Sequence, residues 1–76
     1  MITMRVRISL QEQYPQLSEE QRMPFTEGLT VQDVLLHYGI LDEDIGVLMI
    51  NGKNVIPSQL LCDEDALDVY PFLMGG

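Results

Sequence analysis

The stretch Ile45-Gly46-Val47-Leu48-Met49-Ile50 is apolar on both faces and runs directly into Asn51-Gly52. Asn-Gly readily adopts the left-handed conformations of a type I′ turn, whose twist matches that of the strands on either side. A strand, a two-residue turn and a short returning strand over Lys53-Asn54-Val55-Ile56 are therefore predicted. An isolated hairpin is marginal in water, so the rest of the chain must supply further strands and something to pack on them.

Two other segments alternate with the period of a strand. Ile2, Met4, Val6, Ile8 and Leu10 fall on one face, with Thr3, Arg5, Arg7 and Ser9 on the other, which predicts a first strand over Ile2 to Leu10. Ala66-Leu67-Asp68-Val69-Tyr70 predicts a last one, with Leu67 and Val69 inward and the ladder ending at Tyr70-Pro71 because Pro71 lacks an N–H. Between them, Thr30 stands at a helix N-cap position with Asp33 three residues on, and Val31, Val34, Leu35 and Tyr38 make an apolar stripe closed by Gly39. A helix from about Val31 to Tyr38 follows; it is so short that it must form by packing on a sheet.

Other segments carry weaker patterns. Gln11 to Arg22 reads as a long loop pinned by Tyr14 and Leu17, and Met23 to Glu27 as a short second strand whose Pro24 suits an edge. Pro57 to Cys62 reads as a connection with room for a single helical turn, and Asp63-Glu64-Asp65 as a turn.

Seventy-six residues make one small domain with a single modest core, since a chain this short buries only about 60% of its unfolded surface. Apolar residues at 46% and charged residues at 21% are ordinary globular usage and argue against disorder. Four cations oppose twelve acids, for a net charge of −8, so nucleic acid and membrane surfaces are poor partners. Cys62 is the one cysteine and cannot form an intramolecular disulfide, and residues 1–10 lack the continuous apolar run of a signal peptide; a cytoplasmic location is expected.

No set of residues here is arranged for catalysis. His37 on the predicted helix has no Ser or Cys beside it in a recognised motif, and Cys62, ahead of an acidic triplet, is expected as a buried or half-buried structural residue. Asp42-Glu43-Asp44 and Asp63-Glu64-Asp65 lack the spacing of a calcium loop and read as solvated turns, so no metal site is expected. If Leu48 and Ile50 face the helix, Val47 and Met49 project from the open side of the sheet. Arg5, Arg7, Tyr70 and Phe72 fall there by alternation, which predicts an apolar patch rimmed by charge for a partner.

The order strand, loop, strand, helix, strand, turn, strand, acidic turn, strand and double-glycine tail resembles the β-grasp sulfur carriers of the ThiS and molybdopterin synthase small-subunit (MoaD) group, and more distantly ubiquitin. The pieces that carry the resemblance are Leu29-Thr30-Val31-Gln32-Asp33-Val34-Leu35, Val47-Leu48-Met49-Ile50-Asn51-Gly52, Asp63-Glu64-Asp65-Ala66-Leu67-Asp68-Val69 and Gly75-Gly76. Glu64 stands where these carriers usually have glycine.

The resemblance implies an α+β ubiquitin-like β-grasp domain over residues 1–72, with a mixed sheet of four to five strands on one main helix, and a flexible tail over 73–76. It implies that the Gly76 carboxylate is adenylated by an E1-like enzyme using ATP, then converted to a thiocarboxylate that donates sulfur. The acceptor would be a synthase of the molybdopterin synthase large-subunit type, favoured by Tyr70-Pro71 and the long loop, or of the thiazole synthase type. Gly75 and Gly76, having no Cβ, can thread a narrow channel, while Phe72, Leu73 and Met74 can bury apolar surface in it. The chain would then be a carrier, not an enzyme, with no permanently bound cofactor, and its acidity would speed encounter with basic enzyme surfaces. A ubiquitin-like modifier joined through Gly76, and a β-grasp interaction subunit without tail chemistry, share the same fold.

Overall fold

The computed structural model describes residues 1–7 and 9–72. They form β1 (Ile2–Val6), α1 (Leu10–Gln13), β2 (Glu20–Met23), α2 (Val31–His37), a 3-10 turn (Asp42–Asp44), β3 (Ile45–Ile50), β4 (Lys53–Asn54) and β5 (Ala66–Pro71). The five strands make one mixed sheet in the order β2-β1-β5-β3-β4, with β5 parallel to β1 and the other pairs antiparallel. This is the α+β ubiquitin-like β-grasp architecture expected, a mixed sheet with one main helix.

α2 starts as the sequence predicts. The Thr30 hydroxyl accepts from the Asp33 N–H and the Asp33 carboxylate accepts from the Thr30 N–H, a reciprocal capping box that satisfies two first-turn donors. Val31, Val34 and Leu35 then join Ile2, Met4, Val6, Leu48, Ile50, Leu67 and Val69 in one core. Each of these ten is at most 8% exposed, so the alternation in three strands and the helical stripe bury against one another. Asn51 (φ 52°) and Gly52 (φ 79°) supply the two left-handed residues of the β3–β4 turn.

Several expectations are corrected. β1 ends at Val6, and Leu10, placed at the end of that strand by alternation, is a fully buried residue of the single-turn α1. The second strand is Glu20–Met23 rather than Met23 to Glu27, pairing Ile2 with Met23 and Arg5 with Glu20, so the segment read as loop contains both a helical turn and an edge strand. The hairpin's return strand spans Lys53–Asn54, shorter than expected, with one further bond from the Val55 N–H to the Leu48 carbonyl at 2.9 Å.

Pro57 to Cys62 contains no helical turn; Leu60 instead bridges Thr30 as an isolated antiparallel pair. Alternation there buries Leu61 and leaves Leu60 and Cys62 exposed, so the cysteine is a surface residue and not the buried one expected.

The sheet ladder also runs one residue past Tyr70. Pro71 pairs with Ile45, and the Phe72 N–H donates to the Asp44 carbonyl at 3.0 Å. Val69 turns its carbonyl to β1, accepting from the Arg7 N–H, so alternation points the missing donor of Pro71 past the end of β1, where it breaks no ladder bond.

Other expectations stand. Tyr14 pins the loop as anticipated: its hydroxyl donates to Asp44 and accepts from the Leu41 N–H at 3.0 Å. Burial first, and then the hydrogen bond to Asp44, push its phenol above the ordinary value. Glu64 adopts φ 73°, the left-handed conformation for which glycine is best suited. His37 is exposed in the last turn of α2.

Candidate functional site

The open face of the sheet is built from the residues that alternate with the core. Cross-strand register lines up Glu20, Arg5, Asp68, Met49 and Asn54 in one row, and sets Tyr70 beside Val47 in the next. Arg7, whose N–H bonds to Val69, lies next to Tyr70, and both line a shallow cleft of about 410 Å³ with Val6, Gln11 and Glu19. The face predicted from alternation is therefore assembled: Arg5, Arg7, Val47, Met49 and Tyr70 lie together on adjoining strands. Val47 is 42% exposed, and Arg5, Arg7, Met49 and Tyr70 are half-buried.

The Tyr14 to Leu17 segment does not lie over these residues. Tyr14 is buried in the helix-side core and Leu17 packs against the same core.

Sequence reasoning missed three members of this face. Asp68 sits opposite Arg5, with its Oδ1 3.4 Å from the guanidinium Nε. Both atoms are shielded from solvent and neither has a hydrogen bond. Its place on the open face followed from the alternation that turns Leu67 and Val69 inward, but its pairing with Arg5 required the parallel β1–β5 register. Glu20 and Arg22 were missed because the second strand was placed too late in the chain; the true register puts Arg22 opposite Thr3.

The chain leaves the sheet at one corner of this face. Gly46 forms a bulge in β3 against β5, and a Cβ there would run into the Pro71 carbonyl oxygen. That close approach brings the start of β3 against the end of β5, so Phe72, exposed, is held at the sheet margin through its bond to Asp44. Leu73, Met74, Gly75 and Gly76, the tail named for activation, lie outside the described residues, and so does the expectation that this segment is flexible.

Among the described residues no three His, Cys, Asp or Glu side chains are grouped to hold a metal ion, and no helix is long and apolar enough to cross a membrane. Cys62 precedes the acidic turn, and His37 lies in the last turn of α2.

Comparison with known proteins agrees with this geometry. Two solved structures superimpose with a TM-score of 0.74 each. One is a putative molybdopterin converting factor, subunit 1, from Pyrococcus furiosus, 17% identical over 95% of this chain and 97% of its own. The other is SAMP1 from Haloferax volcanii, 18% identical over 99% of this chain and 98% of its own. At such identities the likeness is one of fold. Among curated proteins no match was found. The family model that fits is described as Mut7-C ubiquitin and matches residues 1–74, leaving Gly75 and Gly76 beyond its end. The ubiquitin-like class anticipated from the motifs is thus the one found, and the chain belongs to the Mut7-C ubiquitin family.

Proposed function

We propose that this ubiquitin-like domain is a carrier acted on by other enzymes, with Gly76 as its reacting residue. The observation that carries the reading is the way the fold delivers the tail. β5 lies between β1 and β3, its ladder extends to Pro71, and the Phe72 N–H is fixed to Asp44. Phe72, the residue before the tail, is thus tied to Asp44 at the end of the sheet that also carries Val47 and Tyr70. A partner docked on that face would meet Phe72, from which the tail continues, at the rim of its binding site, and binding there would turn a bimolecular encounter into a positioned one. The likeness of fold to the putative molybdopterin converting factor, subunit 1, from Pyrococcus furiosus supports the same reading.

The chemistry follows from the weakness of a carboxylate as an electrophile. In the activating enzyme a Gly76 carboxylate oxygen attacks the α-phosphorus of ATP, pyrophosphate departs, and the acyl-adenylate forms. A hydrosulfide or enzyme persulfide sulfur then attacks the acyl carbon and expels AMP; in the persulfide case a second thiol must release the product. The resulting thiocarboxylate is the sulfur donor for a synthase of the molybdopterin type, which we favour, or of the thiamine thiazole type. The domain itself supplies recognition and no catalytic group, and the cytoplasm is the compartment where such partners would meet it.

Incubating the chain with the E1-like enzyme of its source organism, ATP and sulfide, then measuring intact mass, tests the proposal. An increase equal to the replacement of one oxygen by sulfur is expected. Covalent conjugates to lysines of other proteins would instead identify a modifier. An unchanged mass together with a tight stoichiometric partner would identify an interaction subunit.

A further inference from the structure

The chain is strongly acidic, yet its few cations are not spread over it. Three of the four, Arg5, Arg7 and Arg22, belong to the open face, and Lys53 is the fourth. Register places two of the twelve carboxylates, Glu20 and Asp68, on that face, and Glu19 lines the cleft beside Arg7. The remaining acids lie elsewhere, on the helices, the turns and the loops before and after them. The molecule is therefore polarised: a face with as many cations as the acids that adjoin it, on a body that is otherwise negative.

The local pairings leave cationic capacity unused. Arg5 meets Asp68 only at 3.4 Å and without a hydrogen bond, so its guanidinium donors are not satisfied by that carboxylate. Arg22 reaches Glu20 at 4.0 Å with both side chains largely exposed, an ion pair of little energy. Arg7 has no ion pair among the described residues. Beside these cations, on the neighbouring strands β5 and β3, lie Tyr70, Val47 and Met49, a small apolar group of the kind that anchors an interface.

We propose that the open face docks a protein surface that presents carboxylates to one side of an apolar anchor, the anchor seating on Val47, Met49 and Tyr70 and the carboxylates reaching Arg7, Arg5 and Arg22 on the adjoining strands. Arginine's planar fork suits bidentate carboxylate recognition. Overall charge alone points the other way, toward basic partners, and it is the polarisation that reverses this. The acidic body helps by orienting the approach: a negative partner is repelled everywhere but at this face. A nucleic acid has the charge to use the same arginines, but its extended line of phosphates would run past them onto the acidic body, and it offers no apolar anchor. The inference concerns the sheet face alone, so its failure and that of the carrier proposal are read from separate assays.

The test uses an isotopically labelled chain and three probes: a helical amphipathic peptide with glutamates on its polar face and leucines on the other, the same peptide with lysine for glutamate, and a single-stranded oligonucleotide. The glutamate peptide should shift the amide resonances of Arg5, Arg7, Val47, Met49 and Tyr70, with an affinity that falls as salt rises. Joint replacement Arg7→Glu and Arg22→Glu, at positions outside the core, should weaken that binding about tenfold or more. The proposal is overturned if the glutamate peptide fails to shift these amides, if the lysine peptide or the oligonucleotide occupies the same face at least as tightly, or if the charge reversals leave the affinity unchanged.

Discussion

The two faces of the sheet are made from the same strands and differ in almost everything else. On the helix side, Ile2, Met4, Val6, Leu48, Ile50, Leu67 and Val69 are nearly or fully buried. On the other, the residues interleaved with them include charged Arg5 and Asp68, aromatic Tyr70 and apolar Val47 and Met49, all half-buried or exposed. Burial falls on one side of the sheet and the proposed docking residues on the other, so each side can change without disturbing the other. In a domain this small that separation matters, because a core of this size leaves little margin for a functional residue to be badly packed.

The sharpest contrast lies between neighbours. Leu48→Ala should lower the unfolding free energy by about 2 to 5 kcal/mol, because a buried side chain is lost and a cavity left, whereas Met49→Ala should cost under about 0.5 kcal/mol and weaken docking instead. Denaturant titration of the two variants checks this, and equal losses would erase the distinction between faces. Gly46→Ala comes next, at about 1 to 3 kcal/mol, because the new methyl group would collide with backbone at Pro71 rather than with a yielding side chain. Its diagnostic is selective: amide resonances of Ile45, Val47, Tyr70 and Phe72 should move while those of α2 stay in place.

Tyr14→Phe should cost about 1 to 2 kcal/mol by removing the hydroxyl that serves Asp44 and the Leu41 N–H. The phenol's raised value means that the folded state holds this proton more tightly than the unfolded chain does. Its contribution is complete below about pH 10, the unfolded value, and is lost as pH climbs through the folded one. Half-buried Tyr38 is shifted the same way by desolvation, so the measurement is the difference in alkaline slope between the parent chain and Tyr14→Phe, with the parent steeper. Glu64→Gly should stabilise slightly, by about 0.5 to 1 kcal/mol, since a side chain at φ 73° is strained and glycine is not. A rise of a few degrees in melting temperature would report it.

The same division explains which parts of the molecule could be read from the sequence. The hairpin, α2 and the last strand announce themselves because burial on one side forces period two or the helical stripe, and Asn51-Gly52 and Thr30/Asp33 mark the ends. The open face came with them, since Val47, Met49 and Tyr70 are fixed as soon as Leu48, Ile50, Leu67 and Val69 are inward.

The stretch from Ser9 to Met23 was illegible for a reason of the opposite kind. Glu20-Gln21-Arg22-Met23 has no strong strand propensity and becomes a strand because β1 offers it an edge. The turn before it is closed by side-chain bonds, Ser18 N–H to Gln21 Oε1 at 2.6 Å and Gln21 Nε2 to the Ser18 carbonyl at 2.8 Å, which no periodicity reveals. Leu10 satisfied the alternation of β1 by parity while belonging to the next turn of helix. Asp68 was missed as a partner of Arg5 because pairing between parallel strands so distant in sequence follows only from topology.

The most direct test of the account removes one residue. If the domain is a carrier whose chemistry belongs to Gly76, deleting Gly76 should abolish ATP–pyrophosphate exchange by the activating enzyme and leave the unfolding free energy within about 0.3 kcal/mol of the parent, since the deletion touches neither the core nor the ladder that closes at Phe72. Exchange that persists in the deleted chain at the parent's rate would show that the reacting group lies elsewhere, and the account would be wrong.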